Sequence, residues 1–291
     1  MADKKTILVT GANGQLGNEM RVIAPDYHNY NFLFVTKDDL SIDDTQAVAK
    51  YFGQHVIDYC VNCAAYTAVD KAESEPEKAM LINATAVGNL AKICKEHNTQ
   101  FIQISTDYVF DGTATTPYKE DDSVNPVNLY GASKLKSEQL ALQNNPGSII
   151  IRTSWVYSSF GNNFVKTMLR LMGERESVNV VSDQQGCPTY AEDLASAIMQ
   201  IIGSNVKINT TPIFNYSNTG AITWYEFALA IKEISGSRCI VNPIPASLYP
   251  TPAKRPAYSV MDTTKIRQTF NVEIPAWRDS LGSCLKILSK T

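Results

Sequence analysis

At 291 residues, 44% of them apolar and 19% charged, the chain has an ordinary globular composition and is long enough to bury a substantial core, as roughly two domains or one large unit with an added lobe. A formal net charge of −3 excludes the electrostatic footprint of a nucleic-acid binder. No apolar run approaches the ~20 residues of a membrane span, and the apolar part of the opening segment MADKKTILVTGANG is too short for a signal peptide, so a cytoplasmic protein with no nucleic-acid or membrane partner is expected.

Residues 5–10, KTILVT, form a short apolar run rich in β-branched residues and are predicted as a strand. GANGQLGNEM follows at once, then an amphipathic stretch to about Ala24. The alternation continues with strand 31–36, helix about 43–53, strand 56–62, helix about 76–97, strand 100–105, a helix within 126–143 and strand 148–153. Strands alternating with helices require right-handed crossovers and a parallel sheet covered on both faces. The predicted class is therefore α/β, with a doubly wound Rossmann-type domain over 1–155. Beyond Trp155 the pattern is less regular: a helix near 161–173, a strand near 177–181, the loop SDQQGCPTY, a helix over AEDLASAIMQII and a short strand at 213–216. A helix from Trp224 to Ile234, an extended proline-rich segment from Pro243 to Pro256 and a last helix over about 276–288 complete the chain. Residues 156–291 are expected to form mainly a smaller α/β substrate-binding domain, with segments returning to the Rossmann domain.

Gly11, Gly14 and Gly17 sit in strand–turn–helix context as GANGQLG. Glycine there lets the chain turn sharply, lets backbone N–H groups approach a pyrophosphate and lets helix pack closely on strand. The helix N-terminus then offers donors and partial positive charge to an anion. Dinucleotide binding is the expectation. An acidic residue ending the second strand would hold the ribose 2′-OH of NADH. Here that strand ends FVTKDD, with Thr36 and Lys37 in place and Asp38 and Asp39 just beyond. A hydroxyl followed by an ammonium suits a 2′-phosphate, which favours NADPH over NADH. Small residues in Asn62-Cys63-Ala64-Ala65, at the end of the next strand, leave room for the cofactor along the carboxyl edge of the sheet.

The six cysteines, Cys60, Cys63, Cys94, Cys187, Cys239 and Cys284, are scattered. Cys60 and Cys63 are three apart in a predicted strand, which points them to opposite faces, and no second pair or nearby His completes a zinc set. Free buried thiols are expected, and His28, His55 and His97 are expected at the surface.

Tyr130 and Lys134 are four apart in a segment of helical periodicity (Leu129, Ala132, Leu135, Leu140), so both project from one face. An ammonium beside a phenol favours phenolate and is expected to lower the Tyr130 pKa towards the working range of an acid–base catalyst. A strand ending Ser105-Thr106 precedes this helix.

With GxxGxxG, Ser105-Thr106 and the Tyr130/Lys134 pair together, the chain resembles the extended short-chain dehydrogenase/reductase superfamily. Within it, NCAAYTAVDKAE (62–73), STDYVFDG (105–112), YGASKLKSE (130–138), RTSWVY (152–157), GNNFVKTMLRL (161–171), DQQGCPT (183–189), TWYEFA (223–228) and TPAKRP (251–256) resemble the dTDP-4-dehydrorhamnose reductase family. The resemblance implies reduction of the 4-keto group of a dTDP-sugar, dTDP-4-dehydro-β-L-rhamnose, by NADPH or NADH. It implies Thr106, Tyr130 and Lys134 as the catalytic set, and Ser105, Thr106, Tyr130 and Trp155 against the sugar nucleotide. Asn13, Gln15 and Leu16 of the glycine turn would line the cofactor site with Ala64, Ala65, Tyr66 and Thr67.

Arg255 and Lys254 would meet the diphosphate, or form a solvated basic pair. Gln184, Gly186 and Thr189 would shape the sugar pocket, or form a structural turn. Some members hold Mg²⁺ between subunits through carboxylates. Glu19 and Glu192 stand at two such positions, but the C-terminal helix offers no third, so no metal is expected and both read equally well as helix surface. A homodimer is the assembly the resemblance allows. A dehydratase of the same superfamily needs Thr-Asp-Glu where this chain has Thr106-Asp107-Tyr108, so its base is missing. The family also resembles the non-catalytic β subunit of methionine adenosyltransferase, against which the intact Thr106/Tyr130/Lys134 set argues.

Overall fold

The computed structural model describes residues 4–204, 206, 208 and 211–290. Its centre is a six-stranded sheet in the order β10-β5-β4-β3-β1-β2, parallel throughout. The strands are β1 (Lys5–Thr10), β2 (Tyr30–Val35), β3 (Tyr59–Asn62), β4 (Gln100–Thr106), β5 (Ile149–Thr153) and β10 (Ile213–Tyr216). Both faces are covered, as continuous apolar runs require. Ile7, Val9, Val61, Ile102, Ile151 and Phe214 join one buried cluster, while the intervening Leu8, Cys60, Phe101 and Ile150 join another. The two-residue period of a strand sends alternate side chains into two separate cores. This is the doubly wound Rossmann arrangement.

Helices α1 (Gln15–Ile23) and α8 (Ala191–Ser204) close the first face. On the other face lie α2 (Thr45–Gln54), α5 (Ala86–Glu96) and α6 (Leu129–Asn144). The short α3 (Val69–Ala72) and α4 (Pro76–Met80) precede α5. A third core belongs to the later half of the chain. There α7 (Phe164–Glu174), α9 (Trp224–Ser235) and α11 (Trp277–Leu288) pack on a two-stranded parallel sheet of β7 (Ser177–Val181) and β12 (Ile240–Ile244). Two further two-stranded sheets, parallel β6 (Val156–Tyr157) with β9 (Thr189–Tyr190) and antiparallel β8 (Gln185–Gly186) with β11 (Ile222–Thr223), also belong to the later half of the chain. Helix α10 (Thr264–Phe270) returns to the first core through Ile266 and Phe270.

Several boundaries differ from the sequence reading. The helix expected over 76–97 is interrupted by a π-turn, Leu81–Thr85. Asn83 within it accepts from the Tyr66 N–H (2.8 Å) and donates to Tyr66 O (3.0 Å) and the Ser133 hydroxyl (2.9 Å). The wider turn thus aims one buried amide at two other segments. The helix expected within 126–143 starts at Leu129, where Asn128 accepts from the Gly131 N–H at 2.7 Å and caps it. The helix expected from 161 starts at Phe164, capped by Asn163. The segment 243–256 is not extended throughout: its start completes β12, and Ala246–Leu248 form a 3₁₀ turn. Five cysteines are buried and Cys63 is half-buried, all of them free, and His28, His55 and His97 are exposed. Among the described residues no helix is long and apolar enough to cross a membrane.

Candidate active site

A cleft of about 710 Å³ opens at the carboxyl ends of β1, β3, β4 and β5, where the strand order reverses between β1 and β3. Sequence forces one side of it. Gly11 has φ +62°, and a Cβ there would lie 2.6 Å from the Ala64 N. A Cβ on Gly17 would lie 2.6 Å from both Ala12 Cα and Gly11 O, so Gly17 serves helix–strand packing and does not reach the cleft lining. Between them Gly14 starts α1 without any side-chain cap and with no acidic residue in the first turn. Helix α1 therefore presents uncapped N–H groups to a cleft lined by Gly11, Asn13, Gly14, Gln15 and Leu16. That donor set fits a dinucleotide pyrophosphate.

Further along, Lys37, Ala64, Ala65 and Thr67 line the same cleft. Lys37 has no carboxylate partner among the described residues, so its ammonium is free for a 2′-phosphate. Thr36 is outside the lining: its N–H and hydroxyl both donate to Asp39 Oδ2, at 2.9 and 2.7 Å. Tyr66 is also outside, its hydroxyl donating to Glu75 at 3.1 Å while its backbone is held by Asn83.

Thr106, Tyr130 and Lys134 converge on the cleft from β4 and α6. Gly131 is required for this approach, because a Cβ there would lie 2.2 Å from Tyr108 O. The Thr106 hydroxyl donates to Asp107 Oδ1 at 3.0 Å and accepts from the Tyr108 N–H at 3.2 Å. Lys134 Nζ donates to Ile104 O at 2.6 Å, and burial lowers its pKa to about 8. Contrary to the sequence expectation, the Tyr130 phenol is not made more acidic. Burial and the neighbouring Asp107 push it up to about 12, with Thr106 pulling the other way. Desolvation of the buried ring decides the direction, and the ammonium four residues on does not offset it. The phenol is consequently a fully protonated donor at neutral pH.

The sequence marks Asp107 only as the middle residue of Thr-Asp-Tyr. It is buried, and desolvation raises its pKa to about 7 against the opposing pull of the Ser259 and Thr106 hydroxyls. The available signal was its position next to the candidate threonine. Ser105 reaches the lining, but its hydroxyl is committed to Glu138 at 2.5 Å.

Trp155 forms the opposite wall in an unusual backbone state, φ +47°. Its ring stacks on Trp224 with centroids 3.5 Å apart and planes 8° apart. A Cβ on Gly186 would lie 2.6 Å from Trp155 Cε2, so only glycine fits behind the ring. Trp224, which the sequence placed only in a helix, also lines the cleft. Thr189 is buried against Thr153, a structural role. Arg255 is outside the lining; it forms a two-pronged pair with Asp70 at 2.9 and 2.8 Å, and Asn128 holds the Lys254 carbonyl at 2.8 Å.

Glu19 is not helix surface. It is 1% exposed, accepts from the Ser158 hydroxyl at 2.6 Å and is held above the usual carboxylate range by burial. Glu192 accepts from the Tyr190 hydroxyl at 2.8 Å. Among the described residues no group of three His, Cys, Asp or Glu side chains could hold a metal ion.

Comparison with known proteins gives the same family from sequence and from coordinates. The family described as RmlD substrate binding domain matches residues 5–290. The dTDP-4-dehydrorhamnose reductase of Aggregatibacter actinomycetemcomitans is 40% identical over 286 residues, covering 94% of this chain and 96% of the relative. The crystal structure of a dTDP-4-dehydrorhamnose reductase from Clostridium acetobutylicum superposes with a TM-score of 0.93 at 38% identity, covering 98% of this chain and 99% of that one. The enzyme of that name from Bacillus anthracis, solved in complex with NADP, superposes with a TM-score of 0.92 at 35% identity over the same shares.

Proposed function

We propose, from the premise that the chain belongs to the RmlD substrate-binding-domain family, that it reduces the 4-keto group of dTDP-4-dehydro-β-L-rhamnose to give dTDP-L-rhamnose, with NADPH as reductant. The observation that carries this reading is the convergence of Thr106, Tyr130 and Lys134 on the one cleft that the glycine turn also lines. When bound, the reduced nicotinamide supplies the hydride for C4. The uncapped start of α1 binds the pyrophosphate, and Lys37 favours a 2′-phosphate through its free ammonium.

Negative charge develops on the former carbonyl oxygen as the reaction proceeds. Tyr130 gives that oxygen its phenolic proton, and Thr106 turns its hydroxyl from Asp107 to donate to the same atom. A preorganised donor of this kind is worth about 3 kcal/mol in the transition state. Lys134, held by Ile104 O, would hold the nicotinamide ribose when the cofactor is bound. The Trp155–Trp224 wall covers the apolar face of the sugar and keeps water from the reacting carbon. Ser105 touches the sugar nucleotide only by its backbone, because its hydroxyl is already engaged. Arg255 reaches the diphosphate only by giving up Asp70. A nucleotide-sugar substrate and a nicotinamide cofactor support a cytoplasmic location, and no described helix is long and apolar enough to cross a membrane.

The test is to mix purified protein with NADPH and dTDP-4-dehydro-β-L-rhamnose and follow loss of reduced-cofactor absorbance, with identification of the product sugar. Cofactor binding without any substrate-dependent oxidation would sink the reading.

A further inference from the structure

Directly behind the Thr106–Tyr130–Lys134 cluster lies a closed, buried set that the reaction above does not use. Glu138 is one helical turn beyond Lys134 on α6, so both leave the same face. Its Oε1 accepts from the Ser105 hydroxyl at 2.5 Å and from Arg152 Nε at 3.0 Å, and its Oε2 accepts from Arg152 Nη2 at 2.8 Å. Ser105 and Arg152 are paired residues of β4 and β5. Both charged side chains are only 3% exposed. The last arm of the guanidinium donates to Glu120 O at 3.2 Å, and its Cζ lies 5.1 Å from the centroid of the Phe110 ring.

Burying two charges is expensive, and a well-packed apolar pair would hold a helix on a sheet at least as well. What an apolar pair lacks is a fixed negative charge one turn from Lys134. The other ionisable groups around that ammonium do not supply one. Tyr130 on α6 is held neutral, and so is Cys63, beyond β3, whose thiol burial pushes far up. Asp107, in the turn after β4, changes its own charge near neutrality. Arg152 on β5 is a cation whose donors are taken by Glu138 and Glu120 O, and the Glu138 carboxylate opposes the loss of charge on Lys134.

We propose that Glu138, clamped by Ser105 and Arg152, is a positioning residue that keeps Lys134 charged and fixes its turn of α6 against the strand carrying Thr106. The proposal rests on the reading of Lys134 as the cation of the site. It also explains why Ser105, next to a catalytic threonine, spends its hydroxyl away from substrate.

The experiment compares wild type, Glu138→Gln and the double variant Glu138→Gln/Arg152→Gln. Three quantities are measured across pH: kcat/KM at saturating NADPH, NADPH affinity by fluorescence titration, and the thermal unfolding midpoint. Loss of the carboxylate should lower the pH of the alkaline limb, and of the fall in NADPH affinity, by about one unit or more in both variants. Ser105→Ala, which keeps both charges, should leave those pH values in place. If Glu138→Gln alone does not fold, the double variant decides, since it leaves no uncompensated charge. Variants that melt earlier but keep both pH values would reduce Glu138 to a structural pair and overturn the proposal. A wild type that binds NADPH but oxidises none would instead remove the reductase reading, while the affinity titration still reports on Glu138.

Discussion

Replacing Tyr130 by Phe removes one oxygen and keeps the ring. That ring meets Tyr108 edge-on, with centroids 6.0 Å apart at 83°, a contact the variant retains. The Asn128 cap and the Lys134–Ile104 bond do not involve the phenol either. The change therefore isolates the proton. Because burial and Asp107 push the phenol up to about 12, it is fully protonated at neutral pH, and none of its contribution is lost to ionisation. A positioned acid is worth about 10²–10⁴ in rate, or about 2.7–5.4 kcal/mol at ~1.36 kcal/mol per decade. Thr106 remains as a second donor to the same oxygen, which puts the loss near the low end. Tyr130→Phe should lower kcat at least about a hundredfold and leave NADPH affinity unchanged. Steady-state oxidation of NADPH measures the first, and quenching or enhancement of cofactor fluorescence the second. A kcat reduced less than about tenfold, or a loss confined to KM, would remove Tyr130 as the donor. The same values assign the alkaline fall of the wild-type profile to Lys134, which loses its charge as pH rises through about 8, well before the phenol ionises.

Asp107 titrates at about 7 in the folded protein, above its unfolded value, so its folded state favours the neutral acid. That favourable difference is complete below the unfolded pKa and is lost as pH rises through about 7. Asp107→Asn should accordingly raise the melting temperature relative to wild type more at about pH 8 than at about pH 4; equal shifts at both would contradict it. Trp224→Ala removes the ring behind Trp155 and should raise KM for the sugar nucleotide about tenfold, the worth of one aromatic pair, with loss of the stacked-indole exciton signal in circular dichroism. An unchanged KM would show that Trp155 holds its left-handed backbone unaided. Lys37→Ala should cost about ten- to a hundredfold in kcat/KM with NADPH, as a lost hydrogen bond to a charged group does, and little with NADH. Equal losses with both cofactors would separate Lys37 from the 2′-phosphate.

The strands and glycine turn were legible because a parallel sheet imposes local rules: apolar runs of β-branched residues, a glycine turn at once after the first of them and a helix after that. Boundaries set by single caps, such as Asn128 and Asn163, fell within a few residues of the periodic pattern. The π-turn at Leu81–Thr85 left no mark, since LINAT contains no breaker and the turn is held by Asn83 reaching Tyr66 and Ser133. Strand β12 was hidden by Pro243, which is tolerated because this short strand has a single partner, β7. The site's cast was readable, but the commitments of its side chains were not. Ser105 is claimed by a glutamate 33 positions away and Arg255 by an aspartate 185 positions away. The acidity of Tyr130 turned on desolvation, a property of the assembled cleft that four-residue spacing cannot express.

The sixth strand of the central sheet comes from residues 213–216, long after the chain has left for its second lobe. A fragment ending at residue 155 would bare the whole flank of β5, a row of unpaired amides and carbonyls between two greasy faces, ready to recruit any extended peptide. Such a fragment would self-associate along that edge. Natural or engineered shuffling of this polypeptide must therefore exchange it whole, or graft a substitute edge along with the front half.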